Sequence, residues 1–180
     1  MIYIFLADGF EEIEALTVVD LLRRCELEVK TVGIGREAIR GSHGILVQSD
    51  IADKDFVFDD SIDMIVLPGG MPGTLNLEKS PLVQSVIDFC VNHDKYIAAI
   101  CAAPTILGHK GILQNQQAVC YMGFESQLEG AIIGDENVCV SDKFITSKGP
   151  GTTIEFALKI VEILISKERS KLLADSIMLG

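Results

Sequence analysis

Short, continuous apolar runs separated by helix-length amphipathic stretches constrain this chain more than any other feature. Residues 2–6, 63–67 and 96–100 are apolar at nearly every position, as strands are when helices cover both faces of a parallel sheet. The spacing predicts a helix over 11–24, with Ile13, Leu16, Val19 and Leu22 or Arg23 on its inner face, and another over 81–92, with Val83, Val86, Ile87 and Cys90 or Val91 inward. A second strand is expected at 27–32. Residues 38–48, broken by Gly41 and Gly44, read as two short antiparallel strands making an excursion at the sheet edge. Further strands are expected at 118–121, 138–140 and 144–146. A long amphipathic helix follows Gly149-Pro150-Gly151 over 152–166, and one more helix occupies 167–178. Strands alternating with helices in this way predict a doubly wound α/β sandwich with a mostly parallel sheet.

The 180 residues carry no linker, repeat or low-complexity segment, and 48% are hydrophobic, so one domain spanning 1–180 is expected. The formal charge of −11 has no basic stretch to offset it. Such a field opposes nucleic-acid phosphates and anionic membrane surfaces and leaves small molecules or proteins as the expected partners. Every apolar run ends well short of a membrane span, and the first one is preceded by no positive charge, so neither an anchor nor a secretory signal is expected. Cys25, Cys90, Cys101, Cys120 and Cys139 are scattered without C-x-x-C spacing. That argues against a zinc cluster or a disulfide framework and for free thiols in a reducing compartment, the cytoplasm.

The chemistry concentrates at Tyr96-Ile-Ala-Ala-Ile-Cys101-Ala-Ala-Pro104. A strand that runs straight into a cysteine flanked by Ala99 and Ala103 fits a nucleophile elbow, whose sharp strand-to-helix turn tolerates only small neighbours. The start of the following helix would favour thiolate over thiol. A buried, inert cysteine is the alternative, since free Cys is among the most buried residue types.

Reactive groups in an open parallel sheet gather beyond the carboxyl ends of the strands. Asp8-Gly-Phe-Glu-Glu-Ile-Glu14 lies there. Glu11 and Glu12 suit the first turn of a helix, whereas Glu14, between Ile13 and Ala15, either faces inward near the sulfur, where a raised pKa would let it exchange a proton, or lies solvated on the helix face. Pro68-Gly69-Gly70 is either an ordinary tight turn or, with Ala102, the source of two amides for an oxyanion. The three histidines do not fit a hydrolytic triad. His109 would lie about 12 Å along a helix from Cys101, His93 precedes the elbow strand at its amino end, and His43 sits in the edge excursion, able to reach the site only through an unusual bend or from another subunit.

The elbow, the opening Asp-Gly-Phe-Glu-Glu-Ile-Glu14, the turn Leu-Pro-Gly-Gly70 and the late Thr146-Ser-Lys-Gly-Pro-Gly-Thr-Thr together resemble the ThiJ/PfpI superfamily, most of all its parkinsonism-associated deglycase branch. The four motifs stand in that family's order over residues 2–164. The resemblance implies a flavodoxin-like three-layer sandwich related to the class I glutamine amidotransferases, a homodimer, and no metal or organic cofactor. It also implies that Cys101 is an oxidation-prone nucleophile, Glu14 a protonated carboxyl bonded to its sulfur, and Gly70 and Ala102 the oxyanion amides. Tyr121 stands where close relatives carry a histidine, and Lys148 and His43 stand for basic pocket residues. Protease-like relatives carry a histidine directly after the cysteine, where this chain has Ala102, so peptidase activity is not expected. What the resemblance implies is glutathione-independent conversion of small α-oxoaldehydes such as methylglyoxal, or removal of early glycation adducts from proteins. The alternative is a redox sensor or chaperone using the same thiol, with a cysteine hydrolase third.

Overall fold

The computed structural model describes residues 1–179. In chain order its elements are β1 (Ile2–Leu6), α1 (Glu12–Arg24), β2 (Val29–Gly33), β3 (Ala38–Arg40), β4 (Leu46–Gln48), β5 (Ile51–Ala52) and β6 (Met64–Leu67), then α2 (Gly73–Lys79), α3 (Pro81–Asn92), β7 (Tyr96–Ile100) and α4 (Pro104–His109). β8 (Gln117–Ala118), β9 (Ile132–Ile133), β10 (Val138–Ser141), β11 (Phe144–Ser147), α5 (Thr153–Leu164) and α6 (Lys167–Ser176) complete the chain. Seven strands form one sheet in the order β10-β11-β7-β6-β1-β2-β5, parallel throughout except where β10 returns antiparallel on β11.

Period-two alternation along the strands divides the core into the two outer layers of a sandwich. Ile2, Ile4 and Leu6 of β1, with Met64, Val66, Ala98 and Ile100, pack against Ala15, Val18 and Leu22 of α1 and Phe156, Ile160 and Val161 of α5. Tyr3, Phe5, Ile65, Leu67, Ile97 and Ala99 point the other way, onto Leu77 of α2, Val83, Val86 and Ile87 of α3, and Ile106 and Leu107 of α4. The expected three-layer α/β architecture is therefore present, and residues 38–48 form the antiparallel hairpin β3–β4 outside the main sheet.

Two expectations are corrected. In α1 the inward stripe is Glu14, Ala15, Val18, Leu21 and Leu22, while Ile13 is 53% exposed. The helix is rotated by about one residue from the stripe predicted through Ile13, Leu16 and Val19, and this rotation carries Glu14 into the interior. Residues 118–121 are not a strand of the main sheet. Only Gln117 and Ala118 pair, in parallel with β9, in a separate two-stranded sheet. Beyond them the backbone is engaged by the site instead, with Val119 N–H donating to Thr146 Oγ1 (3.0 Å) and Tyr121 N–H to the Cys101 carbonyl (2.8 Å). The short helices α2 and α4 carry too few residues for a clear periodic signal.

β1 connects to β2 on one side while β6 lies on its other side, so the strand order reverses around β1. Loops diverge at such a point and leave a crevice at the carboxyl ends. The turns after β1, β6 and β7 all open there.

Candidate active site

Cys101 follows β7 directly, with a φ of 64°, and Pro104 begins α4 three residues later. A left-handed conformation at a non-glycine residue costs roughly 1 kcal/mol or more and persists only where the surroundings impose it. Here they do. The Cys101 amide donates to the Ser147 carbonyl at 2.9 Å, the Cys101 carbonyl accepts from Tyr121, and Ala99, Ala102 and Ala103 are buried around the turn. The sulfur residue itself is only 9% exposed.

Glu14 is fully buried, brought inward by the phase of α1. The Glu11 carboxylate caps that helix, accepting from the Ile13 amide at 2.6 Å and the Glu14 amide at 3.2 Å. Glu14 Oε2 accepts the Gly69 amide at 2.8 Å, and Oε1 has no conventional hydrogen-bond partner. The Cys101 thiol and this carboxyl shift each other's titration.

Gly69 makes this approach possible. A Cβ on it would lie 2.6 Å from Cys101 Cβ and 2.8 Å from Glu14 Oε2. Gly69→Ala is therefore expected to cost about 1–3 kcal/mol by overpacking and to spread the two groups apart, measured as a lowered urea midpoint together with lost activity; unchanged stability would mean that the turn yields freely. Gly70 stands at φ 90°, and its amide and that of Ala102 both act to lower the Cys101 thiol pKa.

Burial raises the Glu14 pKa from 4.5 to about 7, with the Glu11 charge adding to it, while the bonds with Cys101 and Gly69 oppose the shift. The Cys101 thiol is pushed up to about 12, first by burial and then by the Glu14 charge and hydrogen bond; the Gly70 and Ala102 amides pull the other way. The expectation that the helix start holds a resting thiolate is therefore corrected. α4 has only six residues, too short for a strong dipole, and desolvation together with an acidic neighbour outweighs it. The resting pair has a protonated sulfur beside a carboxyl poised near neutrality.

Of the seven sequence-predicted residues, Cys101, Glu14, Gly70 and Ala102 thus come together. Tyr121 and Lys148 line an adjoining cleft of about 440 Å³ whose walls include Val119, Met122, Ile133 and Gly149 but none of those four residues. A Cβ at Gly149 would reach 3.2 Å from the Tyr121 ring and 4.0 Å from Glu14 Oε1, so this cleft and the carboxyl share a boundary. Lys148 Nζ donates to the Asp135 carbonyl at 2.6 Å. His43 stands apart from the sulfur, on the outer side of the α1 start. Its Nδ1 lies 3.0 Å from Glu12 Oε2, which raises the imidazole pKa. One ligand atom each from Glu11, Glu12 and His43 falls within 4.8 Å of the others, but Glu12 is already saturated by Ser42 Oγ and the His43 and Ile45 amides. That carboxylate ties the hairpin tip to the helix. The Gly69 amide, the direct partner of Glu14, was missed by sequence reasoning, which valued Gly70 alone; the adjacent glycine pair was the available signal.

No helix among the described residues is long and apolar enough to cross a membrane. Residues 1–163 match the family model described as DJ-1/PfpI family. The chain is 35% identical to Protein dj-1beta of Drosophila melanogaster over 98% of this chain and 96% of that one. It is 38% identical to a Caenorhabditis elegans protein named glutathione-independent glyoxalase DJR-1.2, over 94% and 91% respectively. Among solved structures, Toxoplasma gondii DJ-1 in an oxidized form superposes with a TM-score of 0.92 at 36% identity, covering 99% of this chain and 98% of that one. With the elbow, the buried carboxyl and the sheet order all present in one chain, these matches establish that it belongs to the DJ-1/PfpI family.

Proposed function

We propose that the protein converts small α-oxoaldehydes to 2-hydroxy acids without glutathione, using Cys101 as nucleophile and Glu14 as the proton carrier. The observation that carries this reading is a buried carboxyl with its pKa raised to about 7 beside a cysteine held on a left-handed elbow under two amides. A general base is most effective when its pKa lies near the working pH.

With methylglyoxal, the ionised Glu14 takes the thiol proton as sulfur adds to the aldehyde carbon, and the Gly70 and Ala102 amides receive the developing oxyanion. Proton return from Glu14 completes a hemithioacetal and regenerates the carboxylate. Glu14 then removes the proton from the former aldehyde carbon and delivers it to the neighbouring carbonyl carbon, while the hydroxyl proton of the hemithioacetal passes to the neighbouring oxygen, giving a lactoyl thioester. The first carbon is oxidised and the second reduced, so no external electron acceptor is needed. Water cleaves the thioester to lactate and restores the thiol. The name of the C. elegans relative supports this chemistry; an aldehyde adduct on a protein side chain is the corresponding macromolecular substrate. Incubating purified protein with methylglyoxal in glutathione-free buffer tests the reading: lactate detected by NMR supports it, and its absence at neutral pH overturns it.

A second reading is favoured by the unpartnered Glu14 Oε1. Protonated, that oxygen could donate to an oxygen placed on sulfur by peroxide, two equivalents of which convert the thiol to sulfinate with release of two waters. Oxidation selective for Cys101, without turnover of any oxoaldehyde, would favour such a sensor.

We also propose a homodimer through the start of α1 and the β3–β4 hairpin. Ile13, Ile45 and Leu46 are each more than half exposed where the hairpin tip meets the helix, and apolar clusters of this kind mark protein contacts. The double substitution Ile13→Asp with Leu46→Asp is expected to halve the mass measured by light scattering; an unchanged mass contradicts this surface.

A further inference from the structure

The cleft beside Tyr121 is larger than methylglyoxal needs, and its walls indicate what fills the remainder. At about 440 Å³ it lies in the usual range for small-molecule sites, whereas an apolar cavity of roughly 150 Å³ already takes a benzene ring. A three-carbon aldehyde bonded to Cys101 would leave most of it to water.

Val119, the Tyr121 ring, Met122, Ile133 and Pro150 supply apolar walls. Met122 is 77% exposed and unbranched, a side chain that adapts to what it covers. The charged lining residues are Lys148, Glu125 and Asp135, and the Lys148 ammonium is already bonded to the Asp135 carbonyl. With one cation against two carboxylates, in a chain of formal charge −11, this lining does not attract an anionic tail. Cys101 and Glu14 do not themselves line the cleft, which adjoins them at Tyr121 and Gly149. Tyr121 is bonded through its amide to the Cys101 carbonyl, and the space left by Gly149 separates its ring from Glu14 Oε1.

Resting on the oxoaldehyde reading above, we propose that this cleft receives a neutral apolar substituent, so that the preferred substrates are aryl or branched-alkyl glyoxals rather than methylglyoxal. The carbonyl pair lies at Cys101 and Glu14, and the ring or alkyl group lies against Tyr121, Met122 and Ile133. Gly149 lies between the two, and a Cβ there would press to 3.2 Å from the Tyr121 ring.

Two measurements test this together. In wild-type protein, kcat/KM for phenylglyoxal is expected to exceed that for methylglyoxal by about tenfold or more, in line with the burial of an aromatic ring. Ile133→Trp, which fills the cleft, and Gly149→Ala, whose Cβ crowds the Tyr121 ring, are each expected to lower that ratio at least about fivefold. Independently of turnover, mandelate, the product of phenylglyoxal, is expected to shift the Met122 and Ile133 methyl resonances of the Cys101→Ala protein, while lactate leaves them in place. Methylglyoxal turnover with no preference for the aryl substrate and no mandelate shift would overturn the inference and leave the oxoaldehyde reading standing. No turnover of either aldehyde, with mandelate still shifting these methyls, would overturn the oxoaldehyde reading and leave the cleft's apolar ligand class supported.

Discussion

Replacing Cys101 with alanine is expected to lower kcat/KM for methylglyoxal by at least about 10³-fold, because the hemithioacetal and thioester both need its sulfur. Cys90, Cys120 and Cys139 cannot substitute for it. Their thiols are also held up by burial, at Cys120 and Cys139 with the added charges of Glu125 and Glu136, and none occupies a left-handed elbow. The alanine chain should still fold. Its side chain keeps the Cβ that the left-handed turn already tolerates at this position, and it leaves the amide and carbonyl bonds to Ser147 and Tyr121 intact. An unchanged circular dichroism spectrum beside lost lactate formation is the expected pair of results. Lactate formation at the wild-type rate would remove Cys101 from the chemistry.

Glu14→Gln is expected to separate activity from stability. Loss of the proton carrier should lower kcat by about 10²–10⁴-fold, and the rise of wild-type kcat/KM with pH through about 7, where Glu14 ionises, should disappear. The sign for stability is opposite. The folded carboxyl has a pKa of about 7 against an ordinary value of 4.5, so between these limits the folded chain holds a proton that the unfolded chain releases. Wild-type stability is therefore fully present below about pH 4.5, falls as pH rises toward 7, and stays lower above it. A shift of this size corresponds to about 3 kcal/mol. The glutamine chain lacks this loss, so its stability relative to wild type should improve by about that amount between pH 4 and pH 8 in urea unfolding. A constant difference across that range would mean that Glu14 is not held protonated by its surroundings.

The layered fold was legible because its signal is local. Five apolar residues in β1 and five in β7 announce buried strands, and the helix periods of α3 and α5 stand clear of their flanks. The rotation of α1 was less legible. Ile13 and Ala15 flank Glu14, and the apolar spacing allows two neighbouring stripes; tertiary packing against α5 selects the one that buries a carboxyl. The short β8 could not be bounded, because the partners that end it, Thr146 Oγ1 and the Cys101 carbonyl, are distant in sequence.

At the site, the residue types were readable and the proton balance was not. The small residues around Cys101 and the glycine pair at 69–70 follow from steric demands that any sequence must meet. The charge state of the sulfur depends on how deeply the turn is buried and on where one carboxyl points, and the short α4 gave a misleading expectation of a thiolate at rest. The corrected picture makes Glu14 a base that the reaction requires, since a protonated thiol has to lose its hydrogen as it attacks.

The most direct test is to mix the protein with methylglyoxal, quench with acid over a series of times, and map the modified peptides by mass. One methylglyoxal equivalent should collect on the peptide carrying Cys101 and decay as lactate accumulates. Lactate that forms while the Cys101 peptide stays unmodified at every time point would contradict covalent catalysis by this pair.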